Sequence, residues 1–105
     1  MKKLIILSLL LLITAAIVSS CAVVGKDFAT DKVSMIMINQ TTKADINNMF
    51  GTPWRTGVED GNKTWTYGYY KYTVFGSSIT RDLVVRFDEA EQVTSYSYNT
   101  SEFEE

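Results

Sequence analysis

The chain contains no histidine, one cysteine and one proline among its 105 residues. Without histidine no side chain titrates near neutrality, and the usual acid/base and nucleophile constellations cannot be assembled. A lone cysteine excludes an internal disulfide, so the fold must be held by its core alone. A basic excess is missing as well. Ten Lys+Arg face twelve Asp+Glu, which argues against a nucleic-acid partner or a polybasic membrane patch. The carboxylates that lie close together, Asp82, Asp88, Glu89 and Glu91, have neither EF-hand spacing nor an orienting partner. The last three read as a charged turn, and neither a metal site nor a glycosidase pair is implied. The expectation is a protein without cofactor that is not an enzyme.

What the chain does have is a strongly apolar beginning. Lys2 and Lys3 are followed by an apolar run from Leu4 to Val18, broken by Ser8 and Thr14, and then by the small residues Ser19 and Ser20. This is the charged, hydrophobic and small-residue order of a bacterial secretory signal. The cysteine stands directly after it. Val18-Ser19-Ser20-Cys21 resembles the lipobox of bacterial lipoproteins, in which the cysteine becomes the lipidated first residue. An ordinary signal with a chance cysteine fits the same stretch, and so does an uncleaved anchor, because Leu4 to Val24 approaches the roughly 20 apolar residues of a spanning helix. All three readings put the rest of the chain outside the cytoplasm.

The lipobox divides the chain into a signal peptide at 1–20, a lipidated tether at 21–30 and a domain at 31–105. Losing Lys2 and Lys3 leaves eight basic against twelve acidic side chains, a net charge of −4. The tether has no clear period and, fully extended, reaches at most about 30 Å. Thr30 or Asp31 then caps a short helix with apolar positions at Val33, Ile36 and Met37, while Met35-Ile36-Met37-Ile38 also reads as a buried strand,. A second helix is specified more fully. Thr42 with Asp45 forms a shortened capping box, Ile46, Met49 and Phe50 make one apolar face, and Gly51 and Pro53 stop it, predicting a helix over about 43–50,.

After Pro53 the apolar period falls to two. Trp54 to Val58, Thr64 to Tyr72, Ile79 to Phe87 and Val93 to Tyr98 read as strands, with Asp60-Gly61 a hairpin turn,. The expected fold is α+β, two N-terminal helices packed on one face of a three- to four-stranded antiparallel sheet. Met35, Met37 and Met49 read as core filler.

Thr42, Phe50-Gly51-Thr52-Pro53, Trp65-Thr66-Tyr67, Leu83 to Asp88 and Val93 stand in an order and spacing that, with the upstream lipobox, resembles the SmpA/OmlA (BamE-like) outer-membrane lipoprotein family. The likeness runs over roughly residues 30–98. It implies two helices on a small antiparallel sheet, a lipid on Cys21, outer-membrane localisation with the domain facing the periplasm, and an envelope partner such as a barrel-assembly subunit. Two departures mark a divergent relative: Gln40 and Glu91 stand where the family places glycine, implying altered turns or local strain. The basic, lipid-contacting segment of that family has no match in residues 22–30, so headgroup binding is not implied.

Candidate binding residues follow from alternation. If Trp65, Tyr67, Leu83, Val85, Phe87 and Val93 face the helices, then Tyr70, Tyr72, Val84, Arg86, Tyr96 and Tyr98 point the other way,. A tyrosine-rich face carrying arginine has the composition of a partner surface, while tyrosine is also simply a good strand former. A bulge beside Gly68 would swap the facing of that strand. Trp54 reads either as rim packing or as an exposed anchor. Two functions fit: an envelope-assembly interaction module, or a small periplasmic inhibitor or ligand-binding module using its sheet face, similar in architecture to the β-lactamase inhibitory protein.

Overall fold

The computed structural model describes residues 2–18, 22–74, 76 and 78–102. Ser19, Ser20 and Cys21, and with them the lipidation position, lie outside the described residues. The apolar beginning forms helix α1, Lys2–Val18. Among the described residues no helix is long and apolar enough to cross a membrane. The remainder is α+β with five antiparallel strands in one open sheet: β1 (Ala22–Gly25), β2 (Arg55–Glu59), β3 (Asn62–Tyr72), β4 (Ile79–Phe87) and β5 (Val93–Thr100). A 3₁₀ helix at Thr30–Met35 and helix α2 at Lys43–Phe50 lie between β1 and β2.

α2 forms where its signals place it. The Asp45 amide donates to the Thr42 hydroxyl at 3.1 Å and the Thr42 amide donates to the Asp45 carboxylate at 3.0 Å, so both halves of the capping box are closed. Gly51 ends the helix at φ +83°. The first helix is corrected. It is a 3₁₀ segment preceded by Ala29 with no side-chain cap, in place of a capped helix starting at Thr30 or Asp31. Its tighter winding buries Val33, with Ile36 just beyond it, and leaves Met35 and Met37 exposed, so those methionines do not fill the core,.

The sheet has more strands than its alternation predicted. Residues 22–25, expected as free tether, pair with the second half of β3, Ala22 opposite Tyr72 and Gly25 opposite Tyr69. β2 pairs with the first half of the same edge, Arg55 opposite Thr66. Two short strands thus lie end to end along one side of β3, and β4 and β5 complete the sheet on the other side. Four residues without periodicity cannot announce a strand by themselves; the exposed edge of β3 supplies the missing half of the hydrogen bonds. The hairpin between β2 and β3 closes on Asp60 and Gly61, both at positive φ, as a two-residue turn requires,.

A bulge near the start of β5 changes the facing of that strand. Phe87 pairs with Val93 but Arg86 pairs with Ser95, leaving Thr94 as the extra residue,. Beyond it the alternation is inverted. Tyr96 sits opposite Val85 and Tyr98 opposite Leu83, and both pack against the core. Tyr96 and Tyr98 therefore do not belong to the far face. Ser95, Ser97 and Asn99 take their places there. The turn feeding the bulge contains Glu91 at φ +61°, the left-handed backbone expected where glycine is missing,. Near Gln40 it is Asn39 that adopts φ +63°, an exchange that asparagine tolerates better than glutamine.

The core gathers Val33, Ile36 and Ile46 with Tyr67, Leu83, Val85, Phe87 and Val93, with Phe28, Met49, Phe50 and Trp65 packed around it. Full burial of each such aliphatic or phenylalanine side chain contributes about 1.5–3 kcal/mol before entropy is counted. Phe28, Phe50 and Tyr67 form an aromatic trio with ring centroids 5.4–6.2 Å apart. Arg81, lying on this same face, pairs with Asp27 and Glu102 at 2.9 Å each, joining the segment after β1 to the one after β5.

Candidate functional site

The far face of the sheet is organised around a glycine. β3 is crowded with aromatic residues, and at its middle Gly68 is buried without a side chain. A β-carbon there would come within 2.9 Å of both the Trp54 and the Tyr70 ring, so the absence of one is what seats the two rings,. Trp54 and Tyr70 meet edge to face at 5.8 Å. The Trp54 amide donates to the Thr66 carbonyl at 3.0 Å and the Lys26 amide to the Gly68 carbonyl at 2.9 Å, which fixes Trp54 in the gap between β1 and β2.

Charge closes around these rings. The Arg55 guanidinium lies 4.5 Å from the Trp54 ring centroid, a cation-π contact,. Burial and the neighbouring Asp82 carboxylate hold the Tyr70 hydroxyl above its ordinary pKa, with Arg55 acting in the opposite sense,. Trp54 is 37% exposed and Tyr72, two residues beyond Tyr70 on the same face, is 48% exposed. An aromatic pair with a stacked arginine and open flanks is a surface of the kind on which binding energy concentrates.

Not every predicted residue joins it. Arg86 does face this side, yet it lies opposite Thr64, six residues from Tyr70 along β3, or about 20 Å. Its guanidinium is already held by Glu59 at 2.9 Å. Tyr96 and Tyr98 are on the core side, as described above. Arg55 was not singled out by the sequence, Asp82 was considered only among the neighbouring carboxylates, and Gly68 only as the place for a bulge. A glycine inside an aromatic strand was the available signal for the last, and only the strand register reveals the other two.

Around the edge from Trp54 opens a cleft of 330 Å³ lined by Lys26, Phe28, Phe50, Pro53, Trp54 and Tyr67. Asp27 and Thr52 line it as well, so its aromatic wall is bordered by one cationic and one anionic side chain. Among the described residues no group of three or more His, Cys, Asp or Glu is placed to hold a metal ion.

These features define an α+β domain with an aromatic and arginine cluster on the face of an antiparallel sheet opposite the Leu83 and Val85 core. No family model matches the chain. Neither a curated protein nor a solved structure matches it significantly.

Proposed function

We propose that this chain is a lipid-anchored interaction module of the bacterial envelope, held at the outer membrane by lipid on Cys21 and facing the periplasm. In this reading it is a divergent relative of the SmpA/OmlA (BamE-like) lipoproteins, with two helical segments laid on one face of the sheet and the other face free for a partner. The observation that carries it is the sequence of Lys2-Lys3, the apolar run and Val18-Ser19-Ser20-Cys21 leading at once into the sheet. The partner surface is the Trp54, Arg55 and Tyr70 cluster, and the partner is an envelope protein such as a barrel-assembly subunit. The module has no catalytic role.

The inhibitor reading depends on a broad tyrosine face. β5 gives that face Ser95, Ser97 and Asn99 in place of aromatic side chains, so the first reading is preferred. The deciding experiment is a crosslinking pull-down from detergent-solubilised envelopes with Cys21→Ser in parallel. Recovery of barrel-assembly subunits by the wild type and their loss with the variant supports the proposal; capture of a soluble enzyme alone, or of nothing, overturns it.

A further inference from the structure

The end of the sheet that carries β1 differs sharply from the opposite end. Ala22 pairs with Tyr72, so among the described residues the sheet reaches the residue immediately after Cys21. Consecutive α-carbons are about 3.8 Å apart across any trans peptide. If Cys21 bears lipid, no slack separates the bilayer from the sheet, and the Ala22 and Tyr72 row has to lie at the membrane interface.

The side chains found there suit that position. Val23 is 54% exposed on one face of β1, and Val24 is exposed on the other. Tyr72 is exposed beside Ala22, and Val74, just past the end of β3, is 58% exposed. Apolar side chains exposed on both faces of the same strand end satisfy neither the core nor water. Tyrosine, with an apolar ring and a polar tip, prefers the headgroup level. Lys71, opposite Val23, carries its charge at the same row and can lay its alkyl stem on the interface while its ammonium reaches the phosphates. Glu102, also at this end, is already paired with Arg81 at 2.9 Å.

The opposite end is acidic. Glu59 ends β2 and Asp60 occupies the turn into β3, and Asp88, Glu89 and Glu91 lie in the one between β4 and β5. These lie the length of β3 away, about 35 Å. Polarity along the strands therefore distinguishes an interfacial end from a solvated one.

We propose that the β1 end of the sheet, through Val23, Val24, Tyr72 and Val74, is a foot that rests in the bilayer interface and stands the sheet with its acidic turns pointing away from the membrane. This rests on the lipidation of Cys21. The occupant is the lipid surface itself; a protein partner or a second copy of the chain would compete for the same end.

The test uses the lipidated full chain in vesicles of phosphatidylethanolamine and phosphatidylglycerol, with Val74→Cys or, as the distant control, Val58→Cys labelled with an environment-sensitive fluorophore. Both sites are exposed, and lipid on Cys21 leaves the introduced thiol as the one to react. Lipids bearing a quencher at the top of the acyl chain should remove most of the emission at position 74 and leave that at position 58. Emission retained at 74, or quenching equal at both, overturns the foot. Intact mass of the same sample reports lipid on Cys21. Lipid present with no quenching at 74 overturns the foot and leaves the lipoprotein reading standing, whereas absence of lipid overturns both.

Discussion

The Tyr67 hydroxyl donates to the Gly51 carbonyl across 2.8 Å, tying the middle of β3 to the residue that ends α2. Gly51 sits at φ +83° and its carbonyl has left the helical ladder, so this bond satisfies a group the helix end would otherwise leave open. Tyr67→Phe keeps the ring packing and removes the bond, and stability measured by urea denaturation should fall by about 1 kcal/mol. Burial pushes the Tyr67 hydroxyl up to about 12. Its folded value lies above the unfolded value near 10. The unfolded state then sheds the proton first, so stability is unaffected below about pH 10 and falls as pH rises from there towards 12. That alkaline decline should be shallower in Tyr67→Phe.

Gly25 stands at φ +82°, and a β-carbon on it would overlap the Gly68 carbonyl. Gly25→Ala meets both a disfavoured backbone region and immovable backbone atoms. A strain of about 1–3 kcal/mol exceeds what a four-residue edge strand is expected to return, so β1 should detach. Hydrogen exchange is the measurement: the amides of β1 should lose protection while those of β4 keep theirs. Retained protection in β1 would show that the crossing relaxes.

Much of this architecture was legible in the sequence, and the failures share a cause. α2 was readable because its cap, apolar face, glycine and proline all lie within a dozen residues. β4 was readable for the same reason, its alternation being local. β1 was not, because Ala22–Gly25 is a strand only by virtue of residues fifty positions later. The bulge at Thr94 was equally hidden, since an extra residue is defined by its partner strand, and it turned Tyr96 and Tyr98 from expected surface residues into core ones. At the candidate site Trp54, Tyr70 and Tyr72 could be named in advance. The carboxylate and guanidinium that hold the pair could not, because only the register brings Arg55 and Asp82 beside Gly68.

That correction separates two sets of tyrosines experimentally. Trp54→Ala and Tyr70→Ser should abolish partner capture with little loss of stability, because both side chains lie outside the core. Tyr96→Ser should do the reverse and lower the melting temperature, since its ring packs against the core. Pull-down yield and thermal denaturation of the variants decide between the assignments; loss of capture in Tyr96→Ser at full stability would return it to the binding surface.

The capping box makes a further prediction. Thr42→Ala removes the hydroxyl that the Asp45 amide reaches, and a loss of about 1 kcal/mol at neutral pH is expected for an N-cap of this kind. Hydrogen bonds from the Thr42 amide and then its side chain hold the Asp45 carboxyl below its ordinary 3.8. Its contribution is present above that unfolded value and lost as pH falls through the lower folded one. Acid titration of stability should accordingly be flatter below pH 4 in Asp45→Asn than in the wild type.

The pairing of Ala22 with Tyr72 also sets an order of events during synthesis. Ala22–Gly25 leaves the ribosome long before the second half of β3, and among the described residues no earlier strand offers it an edge. Until the chain has grown past Tyr72, the residues after Cys21 remain an extended strand without a partner, and closing the intervening loop is a late, non-local step. If the chain is processed at Cys21 as proposed, the processing enzyme meets Ala22 unpaired before that moment and hydrogen-bonded into the sheet after it. Under the lipoprotein proposal, a single strand of four residues would thus place processing and folding in kinetic competition.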